Sequence, residues 1–341
     1  MSENLVARFD VGLFDLDGVC YLGPNPVIHA PENIREAIGA GMRQAYVTNN
    51  AGRTPAAMAA QLDSLGIPAT AANVISSGQV GARMLAQRIP PGSKVLVLGT
   101  DALRADVQRE GLLVVESSDD EPVAVIQGFS PEIDWLRMSE AALAIRAGAL
   151  YLATNLDSTI PRDRGLMIGN GSIAAAISNS TGVIPLSAGK PEPEIFEIAA
   201  RMMKAERPFA IGDNLDTDIQ GAVAAKMPVL HVLTGLATAR DVVLAPAIQR
   251  PTFLADDLRS LNEPYPEINH DGHTVVVEDT RAWWDGTMHV EKKGEELRLP
   301  NVLGMNVYRA LAHAAWEAAD RGVPLETLGE AIPEFNVSRE V

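Results

Sequence analysis

Val11-Gly-Leu-Phe-Asp-Leu-Asp-Gly-Val19 is an apolar run that ends abruptly in two carboxylates and a glycine. A run without polar alternation reads as a strand buried on both faces, like an interior strand of a parallel sheet. Asp15 and Asp17 then stand at its carboxyl end, where open α/β sheets bind their ligands. Gly18 lets the backbone turn sharply enough for both acids to face one point. Paired carboxylates beside a buried strand are costly unless something cationic compensates them.

Three further segments also run from apolar residues into a polar cluster: Arg43-Gln-Ala-Tyr-Val-Thr-Asn-Asn50, Val183-Ile-Pro-Leu-Ser-Ala-Gly-Lys190 and Pro208-Phe-Ala-Ile-Gly-Asp-Asn214. If the four strands are parallel neighbours, Asp15, Asp17, Thr48, Asn49, Lys190, Asp213 and Asp218 converge on one sheet edge. Two like charges about 4 Å apart repel by about 4 kcal/mol at an effective dielectric near 20. Four aspartates against one lysine therefore imply a divalent cation. All the candidate ligands are oxygens, which favours Mg²⁺ over Zn²⁺.

With such a metal a phosphate monoester is the natural substrate, because phosphoryl transfer mainly needs positioning and neutralisation of oxygen charge. Lys190, Thr48 and Asn49 supply donors to the phosphate. Asp15 is assigned as nucleophile, and Asp17 as the acid that protonates the leaving alkoxide and then the base that activates water.

Around these segments the chain alternates helix and strand. The pattern predicts helices over 31–41 and 55–65, the latter N-capped by Thr54, and a strand over 45–47. The alternation then restarts, with strands over 94–98, 112–116, 123–127 and 149–153 and helices over 101–110 and 138–147. This self-contained α/β block has the look of a domain inserted into the first, with edges near Ser77 and Ser187. The first pattern resumes with a helix over 193–203, strands over 209–211 and 229–233 and a helix over 218–225; residues 254–261 close that domain. From Pro264 onward a hairpin is expected, from strands at 274–278 and 288–291 with Trp283-Trp-Asp-Gly286 as turn signal. Helices over 302–321 and 325–331 follow.

The 341 residues suffice for two or three domains, and 47% hydrophobic with 21% charged residues is ordinary globular composition. A net charge of −16 argues against general affinity for nucleic acid or anionic membranes. Cys20 is the single cysteine, expected as a small buried thiol, and there is no basic segment followed by an apolar core at the amino terminus. A cytoplasmic protein without membrane insertion is expected.

The ordered motifs DLDGV (Asp15 to Val19), TNN (Thr48 to Asn50), GKP (Gly189 to Pro191) and GDNLDTD (Gly212 to Asp218) resemble those of the haloacid dehalogenase superfamily of phosphatases. The resemblance implies a Rossmann-like α/β core with a parallel sheet. It makes Asp15 the nucleophile and Asp17 the acid/base. Mg²⁺ would be bound by Asp15, the backbone carbonyl of Asp17 and Asp213, with Asp218 behind them, and the substrate phosphate by Thr48, Asn49, Asn50 and Lys190.

The insert resembles the α/β cap of the nitrophenylphosphatase-like subgroup, including its TNxD (Thr154 to Asp157) and GxGS (Gly169 to Ser172) segments. The cap loop, about 155–172, would choose the substrate through Asn155, Asp157, Arg162 and Arg164. The tail is similar to the shortened acetyltransferase-like segment of actinobacterial glycerol-3-phosphate phosphatases, which makes glycerol 3-phosphate the leading substrate.

The resulting division is core 1–78, cap 79–187, core 188–263 and a small α+β extension 264–341. A structural or homo-oligomerising role is expected of the extension. The competing readings are a phosphatase for phosphoglycolate, a sugar phosphate or a nucleotide, and a protein that senses a phosphorylated ligand without turning it over.

Overall fold

The computed structural model describes residues 3–162, 164–299 and 301–339, the side chains of Pro161 and Arg162 excepted. It forms two compact units: Met1–Gln44, Leu65–Pro68 and Lys204–Val341 in the first, Ala45–Ser64 and Ala69–Met203 in the second.

In the first unit, parallel strands lie in the order Phe253–Ala255, Val229–Val232, Pro208–Gly212, Val11–Phe14. Every residue of Val11–Phe14 and Val229–Val232 is buried, which is why these strands carry no polar alternation. Val11 pairs with Pro208 and Phe14 with Ile211. The ladder continues one step further, Asp15 N donating to Ile211 O at 2.9 Å, so strand pairing itself fixes where the first carboxylate begins. After Pro208–Gly212 the chain enters a π-helical turn, Leu215–Ile219, before the helix Gln220–Ala224. The helix expected over 218–225 thus begins within a wider turn, started by Asn214, whose side chain accepts from Asp216 N at 2.9 Å.

The second unit holds the parallel pair Arg43–Thr48 and Val74–Ser76, whose first strand begins in the first unit. It also holds a separate parallel sheet in the order Leu186–Ser187, Leu150–Ala153, Ala124–Gln127, Lys94–Leu98, Leu113–Val115. The helix Trp135–Arg146 packs on this sheet through Ala141, Ala144 and Ile145. An antiparallel hairpin, Thr159–Arg162 with Gly165–Ile168, leaves the same unit. Thr54 caps the helix Pro55–Ser64 as expected, its hydroxyl accepting from Ala57 N at 3.2 Å.

The C-terminal segment departs from the sequence expectation in two places. The turn signal Trp283-Trp-Asp-Gly286 is met only at its end: the tryptophans belong to a further strand, Thr280–Trp284, between Thr274–Val277 and Met288–Lys292. The chain reverses at Glu278, with φ of 51°, and at Gly286, with φ of 118°. Trp283 stacks on His289 across the ladder, ring centroids 4.9 Å apart. The second departure is at 302–321, where Val302–Gly304 pairs in parallel with Asn336–Ser338 and the helix starts only at Met305, running to Asp320. Tertiary pairing has overridden local helical pattern there.

That helix packs on the antiparallel sheet and on the short helix Ala239–Val243. Trp316 Nε1 donates to Val242 O at 3.0 Å, Arg240 Nε to Ile332 O at 3.0 Å, and Arg250 pairs with Asp320 at 2.6 Å. The segment is therefore stitched, within one unit, to the short helix and loop that follow Val229–Val232, through one buried bond at Trp316 and more exposed ones at Arg240 and Arg250. Cys20 is fully buried. Among the described residues no helix is long and apolar enough to cross a membrane.

Candidate active site

At the carboxyl end of Val11–Phe14 the chain places Asp15 half-buried and Asp17 exposed, with Gly18 turning at φ of +85°. Strand Pro208–Gly212 delivers Asp213 directly beyond its end, and the π-helical turn folds Asp218 back toward it. Carboxylate oxygens of Asp15, Asp213 and Asp218 all lie within 4.8 Å of one another. Asp213 and Asp218 are each only 2% exposed.

The protein holds Asp213 from several sides. Leu236 N donates to its Oδ2 at 2.8 Å, Ala237 N to its main-chain carbonyl at 3.2 Å, and His231 Nε2 donates to the same carbonyl at 3.1 Å. Burial pushes the His231 imidazole down to about 4, so it is neutral and keeps its proton on Nε2 for that bond. Thr234 Oγ1 donates to Gly18 O at 2.6 Å, tying the turn after the first strand to the loop after Val229–Val232. Asn214 N donates to Asp218 Oδ2 at 3.3 Å.

Two glycines make this crowding feasible. A Cβ on Gly18 would sit 2.4 Å from Asp213 Oδ2, and one on Gly235 1.8 Å from the same atom. The sequence pattern made 229–233 a strand but gave residues 231–237 no part in the site. Their signal was nevertheless present, since Val229–Val232 is another apolar strand running into a Thr-Gly pair.

Three clustered, mostly buried carboxylates repel one another strongly. An all-oxygen donor set of this charge suits a hard divalent cation such as Mg²⁺. Asp15, Asp213 and Asp218 thus fit a metal, and Asp218 stands as close to the cluster as the other two.

In the second unit the remaining candidates meet around Asn49. Its Oδ1 accepts from Lys190 N at 2.8 Å, and its Nδ2 donates to Lys190 O at 3.1 Å and to both Asp157 oxygens at 3.2 Å. The side-chain amide is thereby committed to holding Lys190 and Asp157. Asn155 Nδ2 donates to Asn49 O at 2.8 Å, as does Ser77 Oγ at 2.7 Å. Asn170 Nδ2 donates to Asn155 O at 2.8 Å, and Gln127 Nε2 donates to Asn170 Oδ1 at 3.0 Å. Tyr151 hydrogen-bonds Gln127 from behind, and burial pushes its phenol well above the usual tyrosine range.

A buried polar relay thus runs from the separate sheet to the TNN segment, and each link is satisfied. Asn155 and Asp157 serve as supports within it. Thr48 is buried and accepts from Asn50 N at 3.1 Å; Asn50 is exposed, its side chain accepting from Gly52 N at 2.9 Å. Lys190 is 4% exposed. Arg164 lies exposed in the turn of the hairpin, and the Arg162 side chain lies outside the described residues.

Comparison with known proteins places these elements in a family. Models for haloacid dehalogenase-like hydrolase and for HAD-hydrolase-like domains match residues 12–113 and 187–261. The chain is 40% identical over 321 residues to the D-glycerol 3-phosphate phosphatase of Mycobacterium tuberculosis, covering 93% of this chain and 88% of that protein. It is 36% identical over 248 residues to the 5'-nucleotidase YutF of Bacillus subtilis, covering 72% and 94%.

Among solved structures, the glycerol phosphate phosphatase of M. tuberculosis in complex with magnesium superposes with a TM-score of 0.80 at 37% identity, over 99% of this chain and 96% of that one. The 4-nitrophenylphosphatase of Thermotoga maritima superposes with a TM-score of 0.70 at 27% identity, over 76% and 98%. The α/β architecture with its parallel sheet and the two family matches agree: this chain belongs to the haloacid dehalogenase-like hydrolases.

Proposed function

We propose that this hydrolase cleaves a small phosphate monoester, glycerol 3-phosphate, to the free alcohol and inorganic phosphate in the cytoplasm. The observation that carries the reading is the cluster of Asp15, Asp213 and Asp218 at the carboxyl end of the Val11–Phe14 strand. The substrate follows from the mycobacterial relative, whose likeness extends through the C-terminal segment as well as the motifs.

The catalytic residues act in two steps. An Asp15 carboxylate oxygen attacks phosphorus, and the ester P–O bond breaks. Asp17 gives its proton to the departing alkoxide. Asp17, now ionised, takes a proton from water as that water attacks the aspartyl-phosphate; the Asp15–phosphorus bond breaks, and phosphate and the Asp15 carboxylate are restored. The exposure of Asp17 beside a half-buried Asp15 suits a group that must exchange protons with both alcohol and water.

Mg²⁺, held by Asp15, the Asp17 main-chain carbonyl and Asp213 with Asp218 adjoining, supplies charge neutralisation at the phosphate oxygens when bound. Lys190 and the Thr48 hydroxyl bind the phosphate together with Asn50. Asn49 acts by orienting Lys190. Substrate choice belongs to loop 155–172, with Arg162 and Arg164 meeting the polar end of the alcohol. The division into core 1–78 and 188–263, cap 79–187 and extension 264–341 is part of this reading, as is a homo-oligomer formed through the extension.

The test is phosphate release from a panel of monoesters, including both glycerol 3-phosphate enantiomers, sugar phosphates, phosphoglycolate and nucleotides, with Mg²⁺ or with EDTA. Metal-dependent turnover concentrated on glycerol 3-phosphate is the expected result. Preference for another ester replaces the substrate, and a folded protein that binds esters without turning any over removes the enzymatic reading.

A further inference from the structure

Arg309 is 7% exposed, yet it makes no ion pair with any carboxylate among the described residues. Its Nε donates to Leu254 O at 3.1 Å, its Nη1 donates to Asn306 Oδ1 at 3.0 Å, and its guanidinium lies over the Tyr265 ring, 4.5 Å from the centroid. Among the described residues Nη2 has no close acceptor, although the Tyr265 hydroxyl also interacts with the guanidinium. A buried guanidinium with no counter-charge is an expensive arrangement unless an anion completes it.

The guanidinium lines a cavity of about 300 Å³ formed between residues 260–265 and the C-terminal segment that follows them, entirely within the first unit. The same cavity is lined by Gly304, Met305, Asn306 and Val307, the start of the 16-residue helix Met305–Asp320. That helix has Gly304 at its N-cap and no side-chain cap, so no side chain of its own competes for its first-turn amides. Lys292, half-buried in the wall, also makes no ion pair among the described residues.

Of the other charges in the wall, only Asp279 has no ion-pair partner among the described residues. Arg339 is paired with Asp256 at 2.5 Å and with Glu263 and Ser260; Asp279 accepts from the fully buried Thr280 hydroxyl at 3.4 Å. Two cations without an ion pair and an uncapped helix start therefore face one half-open cavity, against the single unpaired carboxylate of Asp279. A phosphate-class oxyanion accepts from planar guanidinium, ammonium and backbone amides alike.

We propose that this cavity is a second anion site, separate from the aspartate cluster. It takes a small phosphate-class oxyanion held by Arg309, Lys292 and the first-turn amides of Met305–Asp320. The anion is either free phosphate or the phosphate group of a small metabolite.

The test uses the full-length protein stripped of metal in EDTA, titrated calorimetrically with inorganic phosphate and, separately, with methylphosphonate, at ionic strength matched with chloride. Wild type binds with one site whose Kd rises at least tenfold in Arg309→Met and severalfold in Lys292→Met, and is unchanged in Lys190→Met. Preference for the phosphonate over phosphate identifies an ester-linked phosphate as the occupant, and the reverse identifies the free ion. Selenate soaked into crystals gives an anomalous peak within hydrogen-bonding reach of Arg309 Nη2.

Absence of binding to wild type, equal binding to wild type and Lys292→Met, or loss of binding in Lys190→Met alone each overturns the proposal. Should Arg309→Met fail to fold, Lys292→Met and the selenate position decide the question. None of these outcomes bears on turnover at Asp15, so the two sites stand or fall separately.

Discussion

Gly235→Ala tests the packing logic of the aspartate cluster without touching a carboxylate. A Cβ at this position would lie 1.8 Å from Asp213 Oδ2 and 2.3 Å from Cγ. Reaching even a tight contact of about 3.0 Å demands a displacement of roughly 1.2 Å, the difference between the two separations. Such a movement breaks the 2.8 Å bond from Leu236 N to Oδ2. A hydrogen bond to a charged acceptor is worth about 1.5–3 kcal/mol, and a misplacement of about 1 Å at a reacting centre costs about 100-fold in rate.

The assay is phosphate release as a function of Mg²⁺, with thermal unfolding followed by circular dichroism. Gly39→Ala, a helical position where nothing lies within 4 Å of the new Cβ, is the control. The expected outcome for Gly235→Ala is a half-saturating Mg²⁺ concentration raised about tenfold or more and kcat lowered by about 100-fold. Gly39→Ala remains at wild-type values. Wild-type metal dependence and kcat in Gly235→Ala would refute the reasoning.

Other outcomes are expected from the same geometry. Asp15→Asn abolishes turnover to below about one part in a thousand in a protein that still folds, because the nucleophile and one metal-holding carboxylate are lost together; retained activity assigns the chemistry to another residue. Asn49→Ala removes the amide that Lys190 N and Asp157 share, which costs about 1–3 kcal/mol in denaturant unfolding and raises KM for the phosphate ester.

His313 is pushed down to about 4 by burial and by His270, from an ordinary value of 6.5 that the unfolded chain regains. Its contribution is therefore full above pH 6.5 and is lost as pH falls toward 4, roughly 3 kcal/mol in all. Unfolding curves at pH 7 and pH 4.5 measure that loss, and a His313→Gln protein with an unaltered slope contradicts it. Trp316→Phe removes the bond to Val242 O and lowers stability by about 1 kcal/mol by chemical denaturation, with kcat unchanged.

Much of the parallel architecture was legible locally. Lys94–Leu98 and Leu325–Ala331 have the bounds their patterns predict, and the strands bearing Asp15, Thr48 and Asp213 end where apolar residues give way to polar ones. Strands buried on both faces announce themselves by uninterrupted hydrophobicity, and the carboxyl-end carboxylates follow by adjacency. The tail was less legible. The Trp pair reads as a turn signal until its cross-strand partners Thr274 and His289 are known, and Val302–Gly304 reads as helix until Asn336–Ser338 is beside it.

By itself the sequence singled out the side chains to which the chemistry is assigned, because Asp15, Asp17, Asp213 and Lys190 each sit within a residue or two of a recognisable strand end or motif. Only tertiary structure decided what each one leans on. The Asn49 amide turned out to be a bracket for Lys190 and Asp157, Gly235 the space that Asp213 occupies, and Arg309 a buried charge beside a cavity. Those facts depend on contacts between residues far apart in the chain. Local pattern records burial and turning, whereas the partner of a buried polar group is set by packing.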